Sequence, residues 1–267
     1  EPPAILEESA GGYLAQARLL GRRTAEFHLA LAADREDPAF VPEAFTGLYR
    51  RSIYQSLRAN ARTAFDLLRR RLTTLPDGLR EEARALVALE DGLLRQARAV
   101  MDRKIPMSRF RIHGDYHLGQ VLFTGRDFVI VDLEGEPSRS LSERRFKRSP
   151  LRDLAGMIRS FEYAAAYAVR YGPMRIEDIP ALLPWARLWQ RWASASFLRG
   201  YFEAWGDAPY LPKGNDAFSA MLDFYLLDKA IYELRYELNN RPDWVAIPLE
   251  GVRRLLEPER AVGAAGR

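Results

Sequence analysis

The sequence contains no cysteine, and this absence excludes disulfides, thiolate nucleophiles and zinc–thiolate sites. Lysine is almost as scarce, because only four of the 40 basic residues are lysines and none precedes Lys104. Long apolar runs are missing too, since none approaches the roughly 20 residues that span a bilayer. No basic segment followed by an apolar one stands at the start, where the chain begins Glu1-Pro2-Pro3. We therefore expect a cytoplasmic protein without a membrane partner.

The residues that are present are typical of a globular protein, with 48% hydrophobic and 28% charged residues in a chain of 267. This length is sufficient for one or two hydrophobic cores. The net charge of +4 is spread along the chain, and the one run of bases, Arg69-Arg70-Arg71, has no interleaved aromatics. A nucleic-acid partner is therefore not expected.

Apolar residues spaced by three and four predict that most of the chain is helical. A turn at 74–78 separates the second predicted helix from the third, and Pro180 and Pro184 predict a kink in a later one. The predicted helices cover residues 15–33, 42–72, 79–102, 150–171, 176–205 and 215–239, with a short last helix after Pro248.

One short region differs from the helices around it. Two short apolar runs, 120–123 and 128–131, flank a Thr-Gly-Arg-Asp turn, and this pattern predicts a small β-hairpin. The expected fold class is therefore mainly α with one small β-hairpin, in a single domain over 1–267. Its predicted parts are N-terminal helices over about 14–104, the hairpin region over 109–135 and a helical subdomain over 150–257.

Polar side chains that can bind a metal or a proton lie at both ends of this hairpin. Asp115 precedes the first strand, Asp132 follows the second, and Gln120 stands five residues after Asp115. Because the two ends of a hairpin meet, we expect both carboxylates and the amide oxygen to reach one point. Such oxygens suit Mg²⁺ that also holds phosphate. Alternatively, Asp115 could accept the proton of a hydroxyl that attacks a phosphoryl group.

The segment His113-Gly114-Asp115, followed by Gln120 and by an Asp-x-x-Gly motif at 132–135, resembles the aminoglycoside phosphotransferase-like kinases. The resemblance implies that Asp115 is the catalytic base and that Gln120 and Asp132 bind the metal. Two features depart from the usual pattern: Gln replaces Asn, and one extra residue precedes the glycine. In this lengthened motif, Glu134 either adds a metal contact or holds the loop.

Four linked motifs look like those of the maltokinases, which make maltose 1-phosphate from ATP and maltose. The resemblance extends from about residue 14 to residue 256. It implies a protein-kinase-like fold, Mg²⁺ and ATP as cofactors, and transfer of the γ-phosphoryl group of ATP to the anomeric hydroxyl of maltose. It also implies trehalose synthase as a fused or neighbouring protein. The motifs lie at 113–120, 132–137, 149–157 and 236–244.

The N-terminal lobe of such kinases has no counterpart in this sequence. That lobe carries a sheet, a loop over the phosphates and a strand lysine, whereas here no strand-rich stretch precedes Leu14 and no lysine precedes Lys104. The resemblance is therefore to the C-terminal lobe alone, and we expect the N-terminal lobe on a longer parent polypeptide. From these 267 residues by themselves we expect weak nucleotide binding and little or no turnover.

The resemblance also implies supporting and substrate-binding roles. Asp153 is expected to bond the backbone of the catalytic loop, and His113 to shape that loop. For His117, substrate contact and loop packing are equally good interpretations. The remaining candidates for substrate binding, with core packing as the alternative, are Tyr163, Tyr225, Lys229, Tyr232, Tyr236 and Arg241. The four from 225 to 236 share one helix face because they are spaced by four, three and four.

Two other interpretations stay open at this stage. Another sugar or amino-sugar kinase, such as a glucosamine kinase, would share the hairpin and differ in the helices that carry Tyr and Trp. A non-catalytic docking module attached to trehalose synthase would not use the site. The intact set of Asp115, Gln120 and Asp132 favours an enzyme, whereas the missing lobe favours a docking module.

Overall fold

The computed structural model describes residues 2–136 and 140–257. Within this part, helices occupy most of the chain and four short strands form two antiparallel pairs, β1 with β2 and β3 with β4. The helices are α1 (Ala4–Leu31), α2 (Gly47–Arg71), α3 (Asp77–Ala88), α4 (Glu90–Asp102), α5 (Leu141–Arg144), α6 (Leu151–Arg170), α7 (Ile179–Trp205), α8 (Asn215–Asn240) and α9 (Ala246–Leu256). The strands are β1 (Glu43–Ala44), β2 (Ser108–Arg109), β3 (Val121–Phe123) and β4 (Phe128–Ile130).

The described residues form two compact units. Those of 1–44 and 106–213 make the first unit, which contains α1, α5, α6, α7 and the four strands. Those of 45–105 and 214–257 make the second unit, which contains α2, α3, α4, α8 and α9. No helix of the described residues is both long enough and apolar enough to cross a membrane.

In the first unit, α1 and α7 pack so closely that their backbones touch at two glycines. A Cβ added at Gly21 would lie 1.8 Å from the carbonyl oxygen of Phe197, and one added at Gly200 would lie 1.8 Å from that of Arg18. α6 also packs on α7, and the buried rings of Phe161 and Phe197 meet edge to face with centroids 5.9 Å apart. The absence of side chains at the two glycines therefore allows α1 and α7 to lie this close together.

We expect Gly21→Ala and Gly200→Ala each to destabilise the protein by about 1–3 kcal/mol, because each methyl group would overlap a backbone oxygen that cannot swing away. Urea unfolding measures this loss. Gly12→Ala is the matched control, since it lies in the same α1 and an added Cβ there meets nothing within 4 Å. The control should be more stable than the parent by about 0.5–1 kcal/mol through helix propensity. Unchanged stability of both Gly21→Ala and Gly200→Ala would contradict the close approach.

In the second unit, α8 packs on α2, α4 and α9, and α3 packs on α9. The contact face of α2 carries Leu57, Ala61, Phe65 and Leu68, which are buried and recur at helical spacing. The second unit thus has an all-helical core.

The predicted hairpin is confirmed as β3 and β4, and α6 and α8 match their predicted bounds to within one residue. The prediction for the N-terminal helix is wrong, because α1 begins at Ala4 rather than near 15. Buried Leu6 explains the difference: the early turns of α1 have an apolar contact that offsets the cost of Gly11 and Gly12.

Two further boundaries differ from prediction. The helix predicted over 79–102 is two helices, α3 and α4, because the Leu89 N–H bonds the Leu86 carbonyl three residues back and ends α3. The helix predicted from 42 begins at 47, where the Thr46 hydroxyl caps it by accepting from the Tyr49 N–H at 3.2 Å. The residues before the cap form β1, which pairs with β2 and makes a second small sheet that the sequence analysis did not predict.

Candidate active site

The loop that carries Asp115, residues 113–119, leads through a single 3₁₀ turn at Leu118–Gln120 directly into the hairpin. It is called the catalytic loop, after its predicted role. In the hairpin, Val121 pairs with Ile130, and the Val131 N–H bonds the Gln120 carbonyl at 3.0 Å. Gln120 therefore lies opposite Val131, one residue before Asp132. The pairing therefore places Gln120 just before β3 and Asp132 two residues after β4, at the same end of the hairpin.

The loop after the hairpin returns to the catalytic loop. A Cβ added at Gly135 would lie 3.6 Å from the His113 carbonyl oxygen, and one added at Gly114 would lie 3.9 Å from the Gly135 Cα. Both glycines have positive φ, 86° at Gly114 and 77° at Gly135, which other residues rarely adopt. The backbones that carry Asp115 and Asp132 thus come into contact.

Asp153, at the start of α6, is buried and bonds the backbone of the catalytic loop. Its Oδ2 accepts from the His113 N–H at 2.8 Å, and its Oδ1 accepts from the Gly114 N–H at 2.9 Å. The predicted supporting residue therefore stands against the two amides that precede Asp115.

A second histidine, His28 of α1, completes the surroundings of Asp153. His28 is fully buried, with Nε2 at 3.0 Å from Asp153 Oδ2 and Nδ1 at 3.0 Å from the Tyr201 hydroxyl. Burial alone would raise the pKa of the Asp153 carboxyl, but the hydrogen bond with His28, the electrostatic influence of the His28 and His113 rings and the Gly114 N–H together hold that pKa below its usual value. Asp153 is thus an anion inside the first unit.

His113 joins the catalytic loop to the strand that precedes Asp132. Its buried ring has Nε2 at 2.8 Å from the Val131 carbonyl oxygen and Nδ1 at 3.4 Å from the Asp115 nitrogen. A carbonyl can only accept, so Nε2 carries the proton and Nδ1 accepts from the Asp115 N–H. His113 therefore braces the loop, in keeping with its predicted structural role.

Asp115 itself is partly accessible, with 16% of its side chain exposed. His117 Nε2 lies 4.0 Å from Asp115 Oδ2, and His117 Nδ1 accepts from the Gly119 N–H at 3.0 Å. The second contact directs the Nε2 proton of a neutral His117 towards the Asp115 carboxylate. An accessible carboxylate with a neighbouring donor can accept a proton from a hydroxyl and also orient it.

The side-chain amide of Gln120 has a buried oxygen that no described group satisfies. Its Oε1 is buried and has no hydrogen-bond partner, an arrangement that is costly unless something binds there. Asp132 and Glu134 are exposed, and Asp132 has φ of 58°, which aspartate tolerates better than most residues. Residues 2–136 and 140–257 include no group of three or more His, Cys, Asp or Glu that could hold a metal.

These residues fit Mg²⁺ held through few protein ligands. Mg²⁺ commonly uses one or two carboxylates and completes its shell with water and substrate phosphates. An orphaned amide oxygen on Gln120, at the end of the hairpin from which the chain leads to Asp132, matches such a site. Glu134 is exposed two residues after Asp132 and is the third candidate ligand.

The predicted substrate-binding residues lie in different units. Tyr163 is in the first unit, on α6, with the Arg159 guanidinium 5.8 Å from its ring centroid. In the second unit, Tyr225 is buried, Lys229 and Tyr232 are half-buried, and Tyr236 is exposed.

Cationic and aromatic side chains in the second half of α8 and just after it form a row, the cation–aromatic row. Its members are Lys229, Tyr232, Tyr236, Arg241 and Trp244. Lys229 Nζ lies 5.0 Å from the Tyr232 ring, Tyr232 stacks on Tyr236, and the Arg241 guanidinium lies 5.3 Å from Tyr236 and 4.4 Å from Trp244. Buried Glu237 fixes Arg241 through two bonds, at 2.9 Å to Nε and 2.7 Å to Nη2. Since two of its nitrogens already bond Glu237, Arg241 has less capacity to clamp a substrate than its sequence position indicates.

Comparison with known proteins agrees with this geometry. Residues 4–135 match the family model of the phosphotransferase enzyme family, APH, and this match contains Asp115, Gln120, Asp132 and Glu134. Over 92% of its length the chain superimposes on a solved glucosamine kinase, crystal form A, with a TM-score of 0.73 and 25% identity, and it covers 51% of that protein. The chain has a kinase-like fold. A second glucosamine kinase structure with this fold, in complex with glucosamine, ADP and inorganic phosphate, gives a TM-score of 0.71 at 24% identity, with 91% of this chain and 55% of that one covered.

Curated relatives with related sequences are also glucosamine kinases. The protein from Streptacidiphilus jiangxiensis is 27% identical over 150 residues, which are 56% of this chain and 32% of the relative. The protein from Mycolicibacterium smegmatis (strain ATCC 700084 / mc(2)155) is 29% identical over 149 residues, or 54% and 34%. The chain therefore spans about a third of each curated relative and about half of each solved kinase-like structure.

Sequence reasoning missed the residues that support the loop from a distance. His28 and Thr24 of α1 lie about ninety residues before it, and Ser160 and Gly156 of α6 lie about forty after it. Only the four-residue spacing of Thr24 from His28, and of Gly156 from Ser160, marks them as sharing a helix face.

Proposed function

We propose that this chain carries the catalytic and acceptor-side part of an ATP-dependent sugar kinase, with glucosamine as the first candidate acceptor. The observation that carries the proposal is the catalytic loop: the accessible Asp115 carboxylate follows two amides that buried Asp153 holds. The kinase-like fold shared with a protein that binds glucosamine and ADP supports the same choice.

In the proposed reaction, a sugar hydroxyl attacks the γ-phosphorus of ATP. The new oxygen–phosphorus bond forms as the bond to the ADP oxygen breaks, and Asp115 accepts the hydroxyl proton. His117 supplies an N–H beside that carboxylate and so helps to orient the hydroxyl. Gln120 and Asp132, with Glu134 as the third candidate, would hold Mg²⁺, which neutralises phosphate charge when bound.

Maltose is the second candidate acceptor, and the resemblance to the maltokinases supports it. The motifs that carry this resemblance lie at 113–120, 132–137, 149–157 and 236–244. Under this interpretation the product is maltose 1-phosphate, and trehalose synthase is the expected partner.

The chain spans only part of the length of its relatives, and we therefore assign the lobe that covers ATP to sequence outside these 267 residues. The test is sugar phosphate formation, measured by mass spectrometry with Mg-ATP and glucosamine, maltose, trehalose or glucose. The 267-residue chain is assayed beside a polypeptide that also carries the nucleotide-covering lobe. We expect glucosamine phosphate from the longer polypeptide, whereas a maltose phosphate product selects the second candidate. No sugar phosphate from either sample would contradict kinase activity and favour a docking module.

A further inference from the structure

Three residues on one face of α6 contact successive parts of the catalytic loop. Asp153 bonds the amides of residues 113 and 114, and Gly156, one turn later, lies against the loop backbone at Tyr116. A Cβ added at Gly156 would stand 2.4 Å from the Tyr116 carbonyl oxygen. Ser160 comes one further turn along, and its Oγ accepts from the Leu118 N–H at 2.8 Å. Helix and loop therefore advance together from the start of the loop to its end.

The last of these contacts fixes the 3₁₀ turn that carries Gln120. The three amides of this turn each have an acceptor: Ser160 Oγ for Leu118, His117 Nδ1 for Gly119 and the His117 carbonyl for Gln120. Two of the three acceptors belong to the loop itself, and Ser160 alone connects the turn to a helix through these bonds. Among these three bonds, the one to Ser160 is therefore the bond that ties the turn to α6.

The opposite side of the loop is anchored separately. The buried hydroxyl of Tyr116 lies 2.8 Å from the Thr24 hydroxyl on α1. Removing the Ser160 contact would therefore leave the middle of the loop attached while the turn after it becomes free to shift.

We propose that Ser160 is a positioning residue of the active site: by holding the Leu118 amide, it sets the place of the Gln120 amide oxygen. This inference rests on the proposed function for its effect on catalysis, but the contact itself can be tested without turnover. A shifted Gln120 would weaken the metal site. Asp115 would stay in place, because its own N–H bonds His113 and the N–H of the preceding Gly114 bonds Asp153.

The test compares Ser160→Ala, which removes the acceptor, with Ser160→Thr, which keeps a hydroxyl. Ser194→Ala is the matched control, because it removes a hydroxyl that bonds within α7 of the same unit. Amide hydrogen exchange of Leu118 is read in the 267-residue chain, and kcat, KM and the Mg²⁺ dependence are read in the longer polypeptide. Thermal unfolding of all variants separates positioning from general loss of stability.

In Ser160→Ala we expect about tenfold faster exchange at Leu118, about tenfold lower kcat and a higher Mg²⁺ concentration for half-maximal rate, with the acceptor KM unchanged. Ser160→Thr should recover most of each effect, and Ser194→Ala should show none of them. Unchanged Leu118 exchange in Ser160→Ala overturns the proposal, as does equal loss of activity in Ser194→Ala. If the parent transfers no phosphate, the proposed function fails, and the exchange result still decides whether Ser160 holds the turn.

Discussion

Asp115→Asn is expected to lower kcat for phosphoryl transfer by about a thousandfold, within the range typical of a lost general base. Asparagine has nearly the same shape, so the bonds from the Asp115 backbone to His113 and from the neighbouring Gly114 to Asp153 should persist. The amide cannot accept the hydroxyl proton. Nucleotide affinity, measured by calorimetric titration of the longer polypeptide, should therefore change little while turnover is lost.

Asp127→Asn is the matched control for this experiment. Asp127 lies at the turn of the hairpin, where the Arg23 guanidinium binds its carboxylate at 2.7 and 3.0 Å. The same substitution there removes a carboxylate close in sequence to the site without touching the catalytic loop, and the rate should stay near that of the parent. Full turnover by Asp115→Asn would remove Asp115 from the role of base.

Asp153→Ala should cause the largest loss of stability, about 3–5 kcal/mol, since it leaves His28 and two loop amides without their shared acceptor inside the protein. Urea unfolding at pH 7 measures this loss. Asp66→Ala is the control, because its carboxylate forms an exposed pair with Arg69 and should change stability by no more than about 0.5 kcal/mol. Equal stability of the two variants would contradict the anchoring role of Asp153.

The stabilisation from Asp153 should also depend on pH. Its pKa is lower in the folded protein than in the unfolded chain, so between the two values the unfolded chain binds more protons. The contribution is complete above the ordinary aspartate pKa of about 3.9 and is lost as pH falls through the folded value. The stability difference between parent and Asp153→Asn should therefore shrink on acidification, and a difference that grew towards low pH would contradict this assignment.

Around the candidate site, the sequence predicts those parts of the fold that depend on neighbours along the chain. The hairpin follows from two short apolar runs around a turn, and its register alone brings Gln120 opposite Val131, the residue before Asp132. The orphaned oxygen of Gln120 could not be predicted, because burial of one atom depends on packing from the whole unit. The two-residue strands β1 and β2 were missed because so short a strand shows no alternation of apolar and polar residues.

The acceptor is the part that local patterns describe least well. The motifs at 113–120 and 132–135 resemble those of kinases, and the resemblance implies phosphoryl transfer without selecting its acceptor. The candidate substrate residues show the same limit of local patterns, because Glu237 fixes Arg241 through two bonds that residue spacing alone does not reveal.

The contacts around the catalytic loop join segments that lie far apart along the chain, and this separation should affect the order of folding. Thr24 lies 92 residues from Tyr116, and His28 lies 125 residues from Asp153. Contacts between such distant segments form slowly, because the intervening chain must first be brought together. The loop should therefore become ordered late, after α1 has docked. A chain shortened by its first 31 residues would keep every motif letter from 113 to 135 and still lack the helix against which the loop is built.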